Sequence, residues 1–506
     1  MAKEISNKKI VIVGAGIAGL SAGIYGQKNG FKTEIYEKNP VNGGLCTSWV
    51  RKDQLIDGCI HWMTGTKEGT DINKMWHDVN AFDKEDVIHS DNFGSIEYGD
   101  KVFTYWCDLN RLERDLLAIS PQDKRLIKKL ISYITKFYRM PLPMDKPMST
   151  MNIFDFIKIG WKMIPYLPSF LYAKRLSQVQ FANKFKSKEL RYILSRIVPG
   201  DGNLYTALYA YGTAVFGNGG VLKGGSSYLV ERMEKEYRDL GGILHNNKEV
   251  SEFIIKHKTI IGMKLKNGDV VASDYYVTSC DAFEATRKLL KRKHRDNSLI
   301  KRFISKEKYP TPSCIYISYK VDAQALKELN ITNTYEFPCE PFNVGNRKED
   351  SVKIRNYLYD QTFIKDGHVL LNVLIHQNDN DFYYWENIRK DYPTYKKVKD
   401  NVAEQVKTRI ETRFPSLKGK IESIDVATPM TYNRYVNAHR GAYMPWAFTA
   451  KGNQLLHNSS VSGLKNLIFS GQWTIMPGGL PIALMSGKFA IQLILKKEHR
   501  KIALNK

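Results

Sequence analysis

The sequence predicts an α/β fold organised around a parallel sheet. Near the N-terminus, the β-branched run Ile10 to Val13 leads through a glycine-rich turn into a helical pattern, and a second short strand, Thr33 to Tyr36, follows. Near the C-terminus, a strand over Asn466 to Ser470 is followed by another glycine-rich turn and a helix over Ile482 to Leu495. Strands that alternate with helices in this way are typical of parallel sheets.

The N-terminal turn, VGAGIAG, has the spacing of a dinucleotide-binding loop. Gly14 allows the tight turn, Gly16 lets the backbone approach a pyrophosphate, and Gly19 lets the helix pack closely on the strand. The helix N-terminus then presents free N–H groups to the phosphates. Glu37 ends the second strand, where a carboxylate can accept hydrogen bonds from an adenosine ribose. An acid there disfavours the 2′-phosphate of NADP, so FAD and NAD remain; alternatively, the glycines serve only the turn.

The chain has 506 residues, which is too long for one ordinary hydrophobic core and predicts two or three structural units. Helical patterns dominate residues 106–215, for example LNRLERDLLAIS and KRLIKKLISYITKFY. Residues 216–285 return to the strand-rich pattern of residues 1–105. Residues 286–460 mix strands and helices, and residues 461–506 form the C-terminal strand, turn and helix.

The formal net charge is +24, which leaves three explanations open. Nucleic-acid binding would need a clustered basic patch or a known module, and the lysines and arginines are spread along the whole chain. The others are attraction to an anionic membrane surface and a lysine-rich protein surface with no binding role. We therefore expect no nucleic-acid partner.

The six cysteines are scattered without a CxxC pair. This pattern argues against a redox dithiol and against a structural zinc site, so no metal is expected. No signal peptide precedes the first strand, and the longest charge-free run, Asn466 to Gly487, is broken by prolines and glycines. We expect a cytoplasmic protein, either free or peripheral on the inner face of the membrane.

One segment, Phe154 to Arg175, is rich in aromatic and aliphatic residues and also carries lysines. It fits a basic element at a bilayer interface, and it fits equally a cap helix that lines the protein's own substrate tunnel. Such compositions are more often interior, and we expect the tunnel. Further along, Gly224-Gly225 precedes an amphipathic helix that Ser226 or Ser227 can cap.

These separated motifs resemble, as a set, the phytoene desaturase, carotenoid isomerase and retinol saturase family, within the flavin amine oxidase-like superfamily. The resemblance rests on VGAGIAGLSAG with Glu37, on Gly43-Gly44, on LKGGSSYLVERM with GGILHNNKEVSEF, and on NLIFSGQWTIMPGGLPIALMSGKFAIQ. It covers about half of the chain.

The resemblance implies one extended FAD on a Rossmann-type, GR2-like FAD-binding domain, and a discontinuous α+β substrate domain. The FAD-binding domain would comprise residues 1–105, 216–285 and 461–506, with a helical cap at 106–215 and the substrate domain at 286–460. The implied cofactor-binding residues are Gly14, Gly16, Ala18, Gly19, Glu37, Lys38, Gly43, Gly44, Leu45, Val250, Gly471, Gly478, Gly479 and Leu480. Two positions depart from the family pattern: Leu45 replaces a common Arg or Lys, and Gln472 replaces a common Asp.

The catalytic candidates are His61 and Trp62, because their predicted strand, Ile56 to Ile60, follows the glycine doublet. His61 could donate or accept a proton, or it could be a satisfied core histidine. Trp473 could stack near the flavin or serve packing alone. His439 is a weaker candidate, better explained as a histidine in a surface loop.

The function implied by the resemblance is that of an FAD-dependent oxidoreductase. It would desaturate, saturate or isomerise carbon–carbon bonds of a hydrophobic polyene or lipid-like substrate. The alternatives are an amine or porphyrinogen oxidase, and a non-enzymatic binding protein similar to the Rab GDP-dissociation inhibitors. No second GxGxxG follows a strand, so the electron carrier is a diffusible molecule, a quinone, oxygen or a protein whose identity the sequence leaves open.

Overall fold

The structure is a computed structural model that describes residues 8–291, 294, 296–449, 451–453, 456–461 and 463–501. The segment MAKEISN, on which the expectation of no signal peptide rests in part, lies outside these residues. The strands are, in chain order, Lys9–Val13 (β1), Lys32–Tyr36 (β2), Ser48–Arg51 (β3), Gln54–Asp57 (β4), Met63–Thr64 (β5), Val87–Ile88 (β6), Asn92–Tyr98 (β7), Lys101–Trp106 (β8), Gly219–Leu222 (β9), Ile243–His245 (β10), Val250–Lys256 (β11), Thr259–Leu265 (β12), Val270–Val271 (β13), Tyr275–Thr278 (β14), Ser313–Asp322 (β15), Thr334–Val344 (β16), Arg347–Asn356 (β17), Ile364–Lys365 (β18), His368–Gln377 (β19), Ile421–Ala427 (β20) and Leu467–Phe469 (β21).

The helices connect and cover these strands. They are Ile17–Lys28 (α1), Asp71–Asp78 (α2), Leu109–Ile119 (α3), Lys124–Arg139 (α4), Ile153–Met163 (α5), Leu167–Ala173 (α6), Gln178–Ala182 (α7), Lys188–Leu194 (α8), Leu204–Val215 (α9), Gly225–Asp239 (α10), Ala282–Glu284 (α11), Asn297–Ile304 (α12), Ala323–Glu328 (α13), Asp379–Ile388 (α14), Tyr392–Arg413 (α15), Pro429–Val436 (α16) and Leu480–Lys497 (α17).

A five-stranded parallel sheet joins both ends of the chain, and it confirms the predicted α/β fold. Its strand order is β10-β2-β1-β14-β21, and every pair in it is parallel. The strands predicted at both ends of the sequence therefore belong to one sheet, with β14 between β1 and β21. Their carboxyl ends all lie at the same edge.

Helices α1 and α17 pack against each other beside this sheet. The Ser21 hydroxyl on α1 donates a 2.7 Å hydrogen bond to the Leu484 carbonyl on α17. A Cβ atom at Gly487 would lie 2.6 Å from the Ala18 carbonyl oxygen, so any larger residue there would push the two helices apart. The predicted apolar face of α10, formed by Leu229, Met233 and Tyr237, is fully buried.

A second, eight-stranded sheet is built mainly from residues 313–427. Its strand order is β20-β15-β19-β17-β16-β7-β8, and β18 pairs with β19. Strands β7 and β8 belong to this sheet, although the sequence assigns residues 1–105 to the FAD-binding domain. The predicted boundary at residue 105 falls inside β8, and we propose that the substrate domain begins instead before β7.

The helices α3 to α9 cover residues 109–215, in the range where the sequence predicts a helical region. Their buried side chains share one hydrophobic cluster with residues of the parallel sheet, such as Val11 and Tyr276. Helix α5 differs from the others because none of its residues is buried. Phe154 is 76% exposed and Trp161 72%, so the expectation that this segment lies in the interior is wrong for α5.

Two local predictions are also wrong, and one interaction explains both. Strand β4 ends at Asp57, before the predicted end at Ile60, and α10 begins after Gly224 without a side-chain cap. Ser226 does not cap α10, because its hydroxyl donates to the Asp57 carboxylate and accepts a 3.2 Å hydrogen bond from the Ile60 N–H. The serine thereby holds the turn that follows β4.

Candidate functional site

A cavity of about 490 Å³, the central cavity, lies at the carboxyl ends of the parallel sheet. Residues that follow β2, β1, β14 and β21 line it, namely Glu37, Gly14, Ser279 and Gly471. Neighbouring strands are roughly 4.8 Å apart, so the step from β2 to β21 spans about 14 Å. In open α/β sheets, ligands bind at this edge. The cavity therefore suits an extended ligand that crosses several strands.

The first turn has the geometry that the sequence predicts. Gly14 has φ +98°, a left-handed conformation that favours glycine. A Cβ atom at Gly19 would lie 1.9 Å from the Gly14 carbonyl oxygen, so a larger residue would displace the helix. The Glu37 carboxylate accepts hydrogen bonds from the N–H groups of Ala15 and Asn39, each 2.9 Å long. These bonds fix the carboxylate beside the turn.

Two helix N-termini without side-chain caps open on the central cavity. Helix α1 begins after Gly16 and helix α17 after Gly479, and neither has a capping side chain. Residues of both first turns, Ile17 and Leu480 among them, line the cavity. Free N–H groups and the positive end of each helix dipole favour anionic or electron-rich ligand groups. Gln472 orients the second turn, because its Oε1 atom accepts a 3.2 Å hydrogen bond from the Gly479 N–H.

The structure brings most of the sequence-predicted site residues to the central cavity. Those that line it are Gly14, Gly16, Ala18, Glu37, Lys38, Gly43, Gly44, Leu45, Val250, Gly471, Gly478, Gly479, Leu480, His61 and Trp62. Gly19 is not part of the lining and acts through the packing of α1. Trp473 both lines the cavity and packs edge-to-face on Trp446, with ring centroids 4.9 Å apart.

A second, inner chamber of about 150 Å³ adjoins the central cavity. The two spaces share His61, Trp62, Pro199, Tyr316 and Leu374 in their linings. The inner chamber also contacts the face of the eight-stranded sheet. His61 and Trp62 thus stand at the junction between the two spaces.

His61 is held as a neutral imidazole. Burial and the charge of Arg355 lower the pKa of His61 to about 3. Its Nε2 atom lies 3.3 Å from the hydroxyl of Tyr316, and that hydroxyl donates its own proton to the Asp57 carbonyl at 2.9 Å. Nε2 is therefore the donor, and Nδ1 carries the lone pair. Such a group can position a ligand by hydrogen bonding, but it is a weak base at neutral pH.

A third space, the entrance cavity, has a volume of about 370 Å³ and lies beside α5. Lys158, Ile159 and Lys162 of α5 line it, together with Met140, Leu142 and Met144 from the preceding loop. Tyr209 lines both the entrance cavity and the central cavity. The entrance cavity therefore adjoins the central cavity at Tyr209, and the central cavity adjoins the inner chamber at His61 and Trp62.

Sequence reasoning missed several residues of this site. Asp281 follows β14 and lines the central cavity, and its position at the end of a parallel strand is a signal that could have found it. Burial raises the pKa of Asp281 to about 7, although three backbone N–H groups donate to its carboxylate. His439 is not a surface residue: it is 8% exposed and packs on Phe283.

Comparison with known proteins places the chain in a family. The model of the flavin-containing amine oxidoreductases matches residues 17–495. The chain belongs to this family. Its relatives include the lycopene-forming phytoene desaturase of a Paracoccus species, 22% identical over 96% of this chain and 97% of that protein. The chloroplastic prolycopene isomerase of Daucus carota is 21% identical over 86% of this chain and 71% of that protein.

The fold recurs in solved structures. An oxidoreductase from Methanosarcina mazei superposes with a TM-score of 0.61 at 15% identity, and the match covers 96% of this chain and 100% of that chain. Together these findings confirm the family resemblance seen in the sequence. They also confirm that the protein is an FAD-dependent oxidoreductase and that its cofactor is FAD.

The residues at the central cavity fit FAD. The cavity extends along the edge of the parallel sheet, and Glu37 lies in it beside the first glycine turn. The uncapped N-termini of α1 and α17 both open on it. We propose that Gly14 and Gly16 approach the pyrophosphate, that Glu37 binds the ribose, and that Gly479 and Leu480 contact the isoalloxazine end. No described group of three or more His, Cys, Asp or Glu side chains could hold a metal ion.

Replacing Glu37 with alanine should weaken FAD binding about 10- to 100-fold, because a carboxylate hydrogen bond to a ribose is worth roughly 1.5–3 kcal/mol. Flavin content and titration of the apoprotein with FAD measure this. Glu34→Ala is the control, because Glu34 lies on the same strand and pairs with Lys9 at 2.7 Å, away from the cavity. Wild-type flavin content in a folded Glu37→Ala variant would overturn the ribose assignment.

The apoprotein should lose stability as the pH rises from about 4 to about 7, because Asp281 has a folded pKa near 7. The folded state holds this proton more tightly than the unfolded state does, because an aspartate in the unfolded chain has a pKa of about 3.9. Protonated Asp281 therefore contributes its full share to the free energy of unfolding below about pH 4, and this share is lost as the pH rises through about 7. Asp281→Asn should flatten this dependence in urea unfolding. Asp239→Asn, which removes an exposed carboxylate of α10, should leave it unchanged.

Proposed function

We propose that the protein is an FAD-dependent oxidoreductase that acts on carbon–carbon bonds of a long polyene or lipid-like substrate. The observation that carries the proposal is the series of three adjoining spaces, which leads from an exposed apolar helix past the proposed flavin site. A long apolar chain fits such a path better than a compact polar molecule does. The phytoene desaturase and the prolycopene isomerase among the relatives support the same substrate class.

When bound, FAD supplies the two-electron chemistry, a hydride transfer at its reactive nitrogen. The chain provides position and exclusion of water. Tyr209, Trp62 and Tyr443 line the central cavity beside the first turn of α17 and form flat walls on which a conjugated chain can lie. The neutral His61 adds a hydrogen-bonding atom, Nδ1, at the junction with the inner chamber. No strong base stands there, and whether the substrate is oxidised, reduced or isomerised depends on the electron partner.

An amine oxidase is disfavoured by the charge of the inner chamber. Arg355 and Lys353 both line this space, next to the junction at His61. A protonated amine would meet these two cations, and the carboxylate on the same wall, Glu336, is already paired with Lys353 at 2.8 Å and with Arg196 at 3.3 Å. The same fold can serve amine oxidation in other proteins, but this lining does not suit a cationic substrate.

We also propose that α5 docks on an anionic membrane surface, from which the substrate enters. Ile153, Phe154, Ile157 and Trp161 are exposed on this helix, beside the exposed Lys158 and Lys162. Large apolar side chains interleaved with lysines complement an anionic bilayer interface, and the net charge of +24 adds to the attraction. The entrance cavity opens next to the same helix. Among the described residues, no helix is long and apolar enough to cross a membrane.

The proposed activity predicts a change in the flavin spectrum with polyenes. The oxidised and the pre-reduced protein are mixed anaerobically with carotenoids, unsaturated lipids and amines. Polyenes or unsaturated lipids should change the redox state of the flavin or be converted, and amines should not. Absorbance and chromatography of the products measure this. A response to amines, with none to polyenes or unsaturated lipids, would overturn the proposal.

Membrane docking predicts co-sedimentation with anionic liposomes that weakens as salt is added, because screening shortens the reach of surface charges. Trp161→Ala should lower the bound fraction at every salt concentration, and Lys158→Glu with Lys162→Glu should abolish it at low salt. The matched control is Lys397→Glu, which changes the charge of an exposed lysine on α15. Equal sedimentation of all variants, or none at low salt, would contradict docking through α5.

A further inference from the structure

The inner chamber is lined by Arg355, a half-buried arginine that has no acidic partner among the described residues. The Nε atom of Arg355 is buried and has no hydrogen-bond partner in the described part of the chain. One of its terminal nitrogens donates to the hydroxyl of Tyr359 at 3.3 Å. Among the described residues, no carboxylate forms an ion pair with Arg355. A buried charge normally has both hydrogen bonds and a counter-charge, so this group is incompletely satisfied.

The position of Arg355 follows from the alternation of β17. Side chains of a strand point to opposite faces in turn, so Lys353 and Arg355 share one face, and Val352 and Ile354 share the other. Val352 and Ile354 are buried in the core behind the sheet, whereas Lys353 and Arg355 line the inner chamber. On the adjacent strand β19, Asn372 pairs with Arg355 and lines the chamber too.

The other charges around the chamber do not neutralise Arg355. Glu336 is the acid on the chamber wall, and it is already paired with Lys353 at 2.8 Å and with Arg196 at 3.3 Å. Asp57 lies near enough for its pKa to be lowered by the charge of Arg355, but burial dominates and raises that pKa overall. The charge of Arg355 also contributes to the lowered pKa of His61. The chamber thus has a net positive potential.

We propose that the inner chamber binds a carboxylate at one end of a long apolar substrate, with Arg355 as its partner. The substrate class is then a polyene or unsaturated acid, not a pure hydrocarbon. A carboxylate matches the planar fork of a guanidinium and would supply the counter-charge that Arg355 lacks among the described residues. The remaining walls near the junction, Trp62, Phe93 and Leu374, are apolar and suit the chain that leads away from the carboxylate. This inference rests on the proposed function and names the substrate end that determines specificity.

The same geometry sets the register of the substrate. The junction residues His61, Trp62 and Tyr316 separate the inner chamber from the central cavity. A chain anchored at Arg355 passes this junction and then the first turn of α17, where we place the isoalloxazine end. Arg355 would therefore select which bond along the chain lies at the flavin.

Parinaric acid, a fluorescent conjugated polyene acid, and its methyl ester test the proposal with the FAD-loaded protein. The two probes share one chain and differ in the charge at its end. We expect the wild-type protein to bind the acid at least about tenfold more tightly than the ester, measured by the rise in probe fluorescence. Equal affinities for acid and ester in the wild type overturn the proposal, and this comparison needs no variant.

Arg355→Leu should remove the preference for the acid while leaving the affinity for the ester unchanged, provided that flavin content shows a folded protein. Arg355→Lys keeps a cation and should retain part of the preference. Lys348→Met is the matched control, since it removes an exposed cation from the same strand and should change nothing. A preference for the acid that survives Arg355→Leu would place the carboxylate elsewhere and overturn the assignment.

The binding test is separable from the test of activity, because it needs no turnover. Redox response to neutral polyenes together with equal binding of acid and ester would overturn this inference and keep the proposed function. Binding of the acid that depends on Arg355, without a flavin response to any polyene, would support the chamber as a carboxylate site and overturn the proposed function.

Discussion

The close packing of α17 on α1 is the constraint on which the site depends. Gly487 leaves no room for a side chain between the helices, and the Ser21 hydroxyl bonds the Leu484 carbonyl across the contact. A second bond, from the Gly471 N–H to the Ser486 hydroxyl at 2.7 Å, ties the C-terminal turn to α17. Because the two helices are held together, their uncapped N-termini open on one cavity. A cofactor that contacts both also links the two ends of the chain.

Polarity changes along the proposed path of the substrate. In the central cavity, two helix N-termini and the buried carboxylates of Glu37 and Asp281 line the proposed cofactor site, and Trp62, Tyr209 and Tyr443 add aromatic rings. In the inner chamber, Arg355 has no acidic partner among the described residues. His61 lies between the central cavity and the inner chamber, and burial and the nearby charge of Arg355 lower its pKa so that it stays neutral. A neutral imidazole costs less to bury than a charged one, and it leaves the positive potential of the chamber to Arg355.

The nucleotide-binding part of the site was predictable because its chemistry is local in sequence. The glycine turns, the acid at the end of β2 and the turn before α17 each occupy a few consecutive residues, and all but Gly19 of the predicted residues line the central cavity. The lining of the inner chamber beyond His61 and Trp62 was not predictable, because its residues come from distant strands. The bond from Ser226 to Asp57, which ends β4 and positions the turn before His61, joins segments that no local pattern connects. The pairing of β7 with β16 likewise joins two strands that are far apart in the sequence.

By itself, the sequence determined the α/β class, because backbone turns, helix termini and strand ends follow from short patterns of glycine, β-branched and acidic residues. These patterns left FAD and NAD open, and the resemblance carried by the separated motifs indicated FAD. The individual FAD contacts stay a prediction. In β17, which the structure shows, Lys353 and Arg355 lie on one face of the strand, as the alternation of side chains requires. The tertiary structure alone decided that this face meets a cavity and that Glu336 is shared by two other cations, so that the guanidinium remains without a counter-charge. It also decided that α5 is exposed. The physical reason is that burial and charge pairing depend on which surfaces meet, and a chain can bring together surfaces from any part of its length.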